Sequence, residues 1–475
     1  MPLILGTNSI KDTGFNVANS CRFDGSSSYM HKTPSSAGNR RTLTFSCWLK
    51  RSLPGDHTLF SVNDSTHQPH IKFDESNEEL NVRISDDASK NVKTSMQFRD
   101  FSAWYHIVVA IDTTQGTASN RVKIYVNGVQ QTSLSTSNYP DQNYDTSFNT
   151  AIIHSVGRAE DTTNKYFNGY MAEVVYIDGT ALAPTSFGEF DEDSGIWKPI
   201  NVSGLTFGTN GFYLDFEASG NLGNDANGGT DLTEVGLAAT DQSLDTCTNN
   251  FSTLNPLDVS LPSTFVLSEG NLDGLMSGIS SNAYARAYSN IQVASGKWYA
   301  ECKITEEGDS GIIGVSARSG ISYVDLSGTN YDWLGINAHD YRYYHDGTKM
   351  NNNSSSSYGT TWDGGDIIGI ALDMDNLAVY FSLNGTFQAS GDPTSGSSRT
   401  NAAFNLTAVA STPNGAYKFG IGTQGGTDVQ GQWNFGSPPY AISSGNTDGN
   451  GFGNFEYAVP SGYFALCTKN LAEFG

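Results

Sequence analysis

The chain reads as an all-β protein made of two antiparallel β-sandwiches joined by an irregular connector. Three observations predict this. Short apolar stretches alternate every second residue, Asn-Gly or Asp-Gly pairs follow them directly, and the composition suits tight turns. Glycine supplies 51 of the 475 residues, and only 16% of the chain is charged. Gly, Asn and Asp accept the positive φ that two-residue hairpins require, whereas long helices draw on Ala, Leu, Glu and Lys. The length exceeds one ordinary core, so two or three domains are expected.

Strands begin near residue 20. In LTFSCWLK (43–50), Leu43, Phe45, Cys47 and Leu49 alternate with Thr44, Ser46, Trp48 and Lys50, the period of a half-buried strand. WYHIVVAID (104–112) is a continuous apolar run ending in an acid, as a central strand reads. RVKIYVNG (121–128) alternates again and closes on Asn127-Gly128, a type I′ turn signal. YFNGYMAEVVYIDG (166–179) ends the set on Asp178-Gly179. Residues 181–257 are rich in Gly, Asn, Asp and Thr with little periodicity, and read as a connector with one or two strands. A second set follows over 258–440: GKWYAECKI (296–304), GDIIGIALDMDN (365–376) and LAVYFSLNG (377–385), which closes on Asn384-Gly385. Residues 1–19 and 441–475 read as terminal segments.

The net charge is −23, from 49 acidic and 26 basic residues. Binding along a nucleic-acid backbone needs clustered Lys and Arg, so a nucleic-acid partner is not expected. The short cluster Arg40, Arg41, Lys50 and Arg51 reads as solvated strand ends. No apolar run reaches the ~18 residues of a membrane span. Met1 to Leu5 lacks a basic start and a long apolar stretch, so no export signal is expected there. The five cysteines are few and scattered. Cys47 and Cys302 fall on apolar strand faces, where a free thiol packs as a small hydrophobe, and synthesis in a reducing cytoplasm is expected.

CRFDGSSSYM, TFSCWLKR, AWYHIVVAID, VKIYVNG and YFNGYMAEVVYIDG together resemble the laminin G-like branch of the concanavalin A-like jelly rolls, over about 20–180. GKWYAECKI, YDWLGI, YYHDGTK, GDIIGIALDMDN, VYFSLNG and GQWNFGSPPY resemble a SPRY domain, over about 258–440. FGEFDEDSGIWKPI and the terminal GYFALCTKNL resemble junctions in structural proteins of tailed, marine-type phages. The resemblance implies a virion-surface protein made in a host cytoplasm: a tail fibre, appendage or capsid decoration. It would assemble as a symmetric homo-oligomer with other virion proteins and display its lectin-like domains to a host-surface glycan or protein receptor. The alternatives are a purely architectural connector and, further off, a carbohydrate-binding adhesin.

Concanavalin-type jelly rolls include glycosidases, which need two carboxylates on one strand pointing into a cleft. The nearest match is Glu189, Asp191 and Asp193, outside any buried run, and it reads as an acidic linker. No Gly-x-Ser-x-Gly elbow with a following helix is present. His67 and His70 lack a third ligand nearby, and His106 reads as a packed imidazole. No catalytic residue is therefore expected. Calcium stays open, with Asp373 and Asp375 as the acids that would hold it, beside Asp86-Asp87 and Asp225; none forms an EF-type loop. Aromatics interleaved with amides crowd residues 323–362, where Tyr323, Trp333, Tyr343, Tyr344 and Trp362 read largely as scaffold. Flat rings stack on sugar faces or fill protein hot spots. The ligand-binding residues expected on exposed loops are Tyr331, His339, Tyr341 and Tyr358, with Tyr139 and Tyr144 in the first domain.

Overall fold

A computed structural model describes residues 14–62, 68–85, 87, 89–159, 165–260, 265–278, 285–318, 334–423 and 427–475. Strands take up 43% of the described residues and helix 7%, which bears out the all-β expectation. The described residues form two compact units that divide between Thr248 and Asn249.

In the first unit two antiparallel sheets enclose one core. The central strand Thr42–Arg51 lies between Tyr105–Asp112 and Asn168–Asp178, and Val122–Val126 continues the sheet outward. The facing sheet runs through Leu134–Ser137, Asn91–Gln97, Glu79–Arg83, His70–Asp74 and His57–Val62. Leu43, Phe45, Cys47 and Leu49 point into the core between the sheets, beside Phe60, Phe73, Ile107 and Val109, as their alternation predicts.

The other face of Thr42–Arg51 departs from the half-buried expectation, because it is buried as well. Residues read as connector cover it. Trp197 packs with Trp48 and Ala172, while Phe187, Val202 and Phe207 pack with Val108, Val175 and Ile177. Strand Phe212–Leu214 pairs with Asn168–Asp178, and Gln242–Ser243 pairs with Ser20–Asp24. The stretch expected to join two domains is thus part of the first as far as Thr248, covering its outer face and adding Phe212, Leu214, Phe216, Leu222 and Leu232 to its main core. From Asn249 it belongs to the second, where Leu254–Ser260 is a sheet strand.

The second unit repeats this plan. Lys297–Glu306 pairs with Ile367–Asp373 on one side and Val429–Asn434 on the other. Trp298, Cys302 and Ile304 are fully buried. The opposite face, carrying Tyr299 and Glu301, is covered by residues expected to be a terminal segment. Phe455 packs edge-on against Tyr299 at 5.2 Å, and Phe464–Ala465 adds a short parallel pairing before the helix Thr468–Phe474.

Both Asn-Gly hairpins form as expected. Asn127 and Gly128 hold φ of 47° and 79°, and Val126 pairs with Val129. Asn384 and Gly385 repeat the same angles between Leu383 and Thr386. A Cβ at Gly128 would stand 2.4 Å from the Trp197 ring, so the turn also seats the outer layer.

Candidate functional site

The Asn127-Gly128 turn folds the chain back so that Gln130 and Gln131 rise beside strand Val122–Val126. A cavity of about 280 Å³ opens there. Val92, Val122, Ile124 and Leu134 supply its apolar lining; Ser119, Asn120, Gln130, Gln131 and Thr132 supply the polar part, with Tyr139. None of these lining residues is ionisable near neutral pH. Asn120 and Gln130 carry exposed side chains, and the Gln131 amide donates to Val129 O at 3.1 Å. Tyr139 is half-buried and packs against the main core. The arrangement offers amide donors and acceptors beside a flat ring.

A second cavity, about 250 Å³, shares Asn120 and is lined also by Asp112, Gln115, Lys123, Tyr125 and Leu182. Lys123 and Tyr125 line it, while Val122 and Ile124 line the first, as strand alternation requires.

The other expected residues are dispersed. Tyr331, Tyr323 and Trp333 lie outside the described residues, as do His67 and Asp86. Tyr341, expected on an exposed loop, is a strand residue 3% exposed. Its hydroxyl accepts from Thr407 N at 3.0 Å, and its ring meets Phe404 edge-on at 5.3 Å. Tyr358 is half-buried, packed edge-on against Tyr343 at 5.5 Å, with the Phe381 amide donating to its hydroxyl at 3.3 Å. His339 is half-buried beside the sheet. Tyr343 and Trp362 are core, and Tyr344 is half-buried. Tyr144 is half-buried on the first core, with Lys90 Nζ 5.3 Å over its ring.

Asp373 is buried, accepts from Asn376 N at 2.9 Å and Asn376 Nδ2 at 2.8 Å, and pairs with Lys297 Nζ at 3.1 Å. Asp375 accepts from Gly296 N at 2.8 Å. Asp373 thus closes the turn between Ile367–Asp373 and Ala378–Leu383, and Asp375 ties that turn to Gly296 before Lys297–Glu306. Asp225 is buried, its Oδ1 accepting from Tyr213 N at 3.0 Å. Glu189 and Asp191 sit on a β-hairpin, Gly188–Phe190 with Trp197–Pro199, where a linker was expected. Asp191 takes Ser194 N at 2.9 Å and Lys198 Nζ at 3.1 Å, and these donors lower its pKa to about 2.

Two buried arrangements carry chemistry beyond the sequence reading, which took His106 as a packed imidazole and did not single out Glu173. Ser46 Oγ lies 2.9 Å from His106 Nε2, a spacing that suggests a nucleophile and its base. Glu173 sits at a register shift between Ala172 and Val175, with φ of 49°. Its carboxylate accepts from Tyr213 OH at 2.8 Å, and burial raises its pKa to about 7. A lone acid inside the apolar run MAEVVY was the available signal. The amide pocket needed the hairpin geometry before its parts could be joined.

The architecture is that of two antiparallel sandwiches in tandem, each with a layer of trailing chain over its outer face. Residues 24–185 match the concanavalin A-like lectin/glucanases superfamily in its laminin G form, and residues 297–437 match the SPRY domain family. The chain therefore carries a laminin G-like domain followed by a SPRY domain. Solved structures match parts of the chain at low identity. The SPRY domain of human HERC1 is 16% identical, covering 38% of this chain and 96% of that one, with a TM-score of 0.28. A Bacteroides ovatus protein described as a candidate carbohydrate binder is 15% identical, covering 47% of this chain and 61% of that one, with a TM-score of 0.34. A heptameric pentraxin from Limulus polyphemus is 15% identical, covering 36% and 80%, with a TM-score of 0.28.

Proposed function

We propose that the chain is a non-enzymatic display protein of a virion surface, whose laminin G-like domain binds a neutral host-surface glycan at the amide pocket. One observation carries this reading. The pocket sets Asn120, Gln130 and Gln131 beside Tyr139 over an apolar lining, with no carboxylate among its lining residues. Amides read sugar hydroxyls in both directions, as donors and acceptors, and a ring supports the apolar sugar face. Cleaving a glycosidic bond needs a pair of carboxylates flanking it, so such a pocket suits holding rather than hydrolysis. The virion assignment rests on the resemblance of the FGEFDEDSGIWKPI and GYFALCTKNL segments to phage structural proteins.

Glycan-array binding by the full chain tests the reading. Gln130→Ala with Tyr139→Ala is expected to lower the bound signal several-fold while circular dichroism stays unchanged. A wild-type chain that binds no glycan, or a double variant that binds equally well, would remove the receptor role. The architectural reading would then take its place. That second reading draws support from Val129 and Phe190, which are 56% and 50% exposed in the first unit and are suited to subunit contacts.

A further inference from the structure

Three side chains that ligate metals converge at one end of the second unit, and neither the glycan pocket nor the cores use them. Glu307 and Asp309 lie in the turn between Lys297–Glu306 and Gly311–Ser316. His345 lies in the turn between Asp340–Tyr344 and Thr348–Asn351. Gly311–Ser316 and Asp340–Tyr344 are antiparallel neighbours with Ile312 opposite Tyr344, so both turns fall at the same end of the sheet. One carboxylate oxygen from each acid and one imidazole nitrogen all lie within 4.8 Å of one another.

The closest contact inside this cluster is a charged one. His345 Nδ1 stands 2.8 Å from Glu307 Oε1. The alignment is not that of a hydrogen bond, and the buried Oε1 has no hydrogen-bond partner among the described residues. Glu307 is only 7% exposed. A buried carboxylate oxygen is costly without a positive charge beside it, which a protonated His345 or a bound cation supplies. Two ligands on tetrahedral zinc, each at about 2.0–2.2 Å, stand roughly 3.3 Å apart. Admitting an ion between these two atoms therefore asks for a shift of about half an ångström.

The scaffold holds the ligands in place. His345 N donates to Gly311 O at 3.2 Å, and His345 O accepts from Trp362 N at 3.0 Å. The imidazole packs edge-on against Tyr344 at 4.3 Å and Trp362 at 6.4 Å. Buried Trp362 gives the site the apolar wall that strengthens charge interactions beside it.

We propose that Glu307, Asp309 and His345 bind one divalent first-row transition ion, with zinc the default. An imidazole nitrogen with two carboxylates is a borderline donor set that zinc accepts. Calcium takes six to eight oxygens and magnesium an octahedron of them, and neither is served by two carboxylates and a nitrogen. Asp309 is exposed, so a fourth coordination position faces solvent. The ion would clamp the two turns together.

The test uses the tag-free full chain, stripped with a chelator and titrated with Zn²⁺ by calorimetry and with Co²⁺ by visible absorption. The expected result is a Co²⁺ spectrum of tetrahedral type that Zn²⁺ displaces and that Ca²⁺ and Mg²⁺ leave intact. Glu307→Gln and His345→Asn should each weaken this binding by at least about tenfold. Asp309→Asn, on an exposed side chain, supplies a third variant where folding is not at issue, and His31→Asn in the other unit should change nothing. Wild-type affinity and stoichiometry in the three cluster variants would overturn the site, as would a wild-type chain that takes up no Zn²⁺.

Discussion

The indole Nε1 of Trp197 donates to Nδ1 of His106 at 3.0 Å, and this contact decides what the neighbouring serine can do. An indole nitrogen is only a donor, so Nδ1 must present its lone pair. The neutral ring then carries its proton on Nε2 and donates to Ser46 Oγ at 2.9 Å. A base that activates a serine has to accept at that nitrogen, so the pair runs in the opposite sense. Trp48 stacks on the same ring at 4.7 Å.

A cationic His106 would aim a second N–H at the indole donor. Burial lowers the His106 pKa to about 3, and buried His57 and His154 fall to about 3 and about 4 for the same reason. Below the ordinary histidine value of 6.5 the unfolded chain binds more protons than the folded one. Stability is therefore full above pH 6.5 and is lost as pH falls toward 3, by roughly 5 kcal/mol for His106 alone. Nitrogen NMR of labelled histidine should show His106 as the neutral Nε2–H tautomer at pH 5. Trp197→Phe should cost about 1–3 kcal/mol by leaving Nδ1 without its donor. A ring that titrates near pH 6.5 would refute the assignment.

Glu173 gives the opposite slope. Its folded pKa is raised to about 7 from an ordinary 4.5, chiefly by burial, with Asp215 and Glu217 adding to the rise and the Tyr213 hydroxyl opposing it. Between those values the folded state holds the extra proton. This contribution is present below pH 4.5 and is lost as pH rises through 7, by roughly 3 kcal/mol. Hydrogen exchange in the full chain, followed along Asn168–Asp178, should show protection falling between pH 5 and pH 8 beyond the intrinsic rate change. Glu173→Gln should flatten that trend and leave the strand more protected at pH 8. An identical profile in the variant would mean that Glu173 does not titrate there.

The hairpins were legible in the sequence because their requirement is local: positive φ at two consecutive residues, which Asn127-Gly128 and Asn384-Gly385 satisfy unaided. Alternation in LTFSCWLK likewise placed Leu43 and Phe45 in the core. It could not show that Ser46 and Trp48 are buried too, because their cover comes from Trp197, far along the chain. Glu301 makes the same point. It reads as the polar side of a strand, yet it is buried and accepts from Tyr457 N at 2.8 Å and Glu456 N at 3.0 Å. Tyr341 looked loop-like among amides, and its partners Thr407 and Tyr417 lie in later segments. The amide pocket and the Glu307, Asp309 and His345 cluster each join separate turns, a relation that no single stretch carries.

The cysteines test the cores directly. All five are free; Cys21, Cys47, Cys302 and Cys467 are buried, and Cys247 is half-buried. Burial is the leading cause that raises each thiol above its ordinary value. The thiolate is the reactive form, so near neutral pH the folded protein should react slowly with a thiol reagent and the unfolded protein should yield five equivalents. Cys247 should lead in the folded state, since it alone has surface to offer, with the other four following only as the sheets open. Prompt labelling of several thiols in the folded protein would mean that the sandwiches are looser than their packing implies. A count of three or fewer after unfolding without reductant would mean that a disulfide forms in the protein as it is made, and the expectation of a reducing site of synthesis would fall with it.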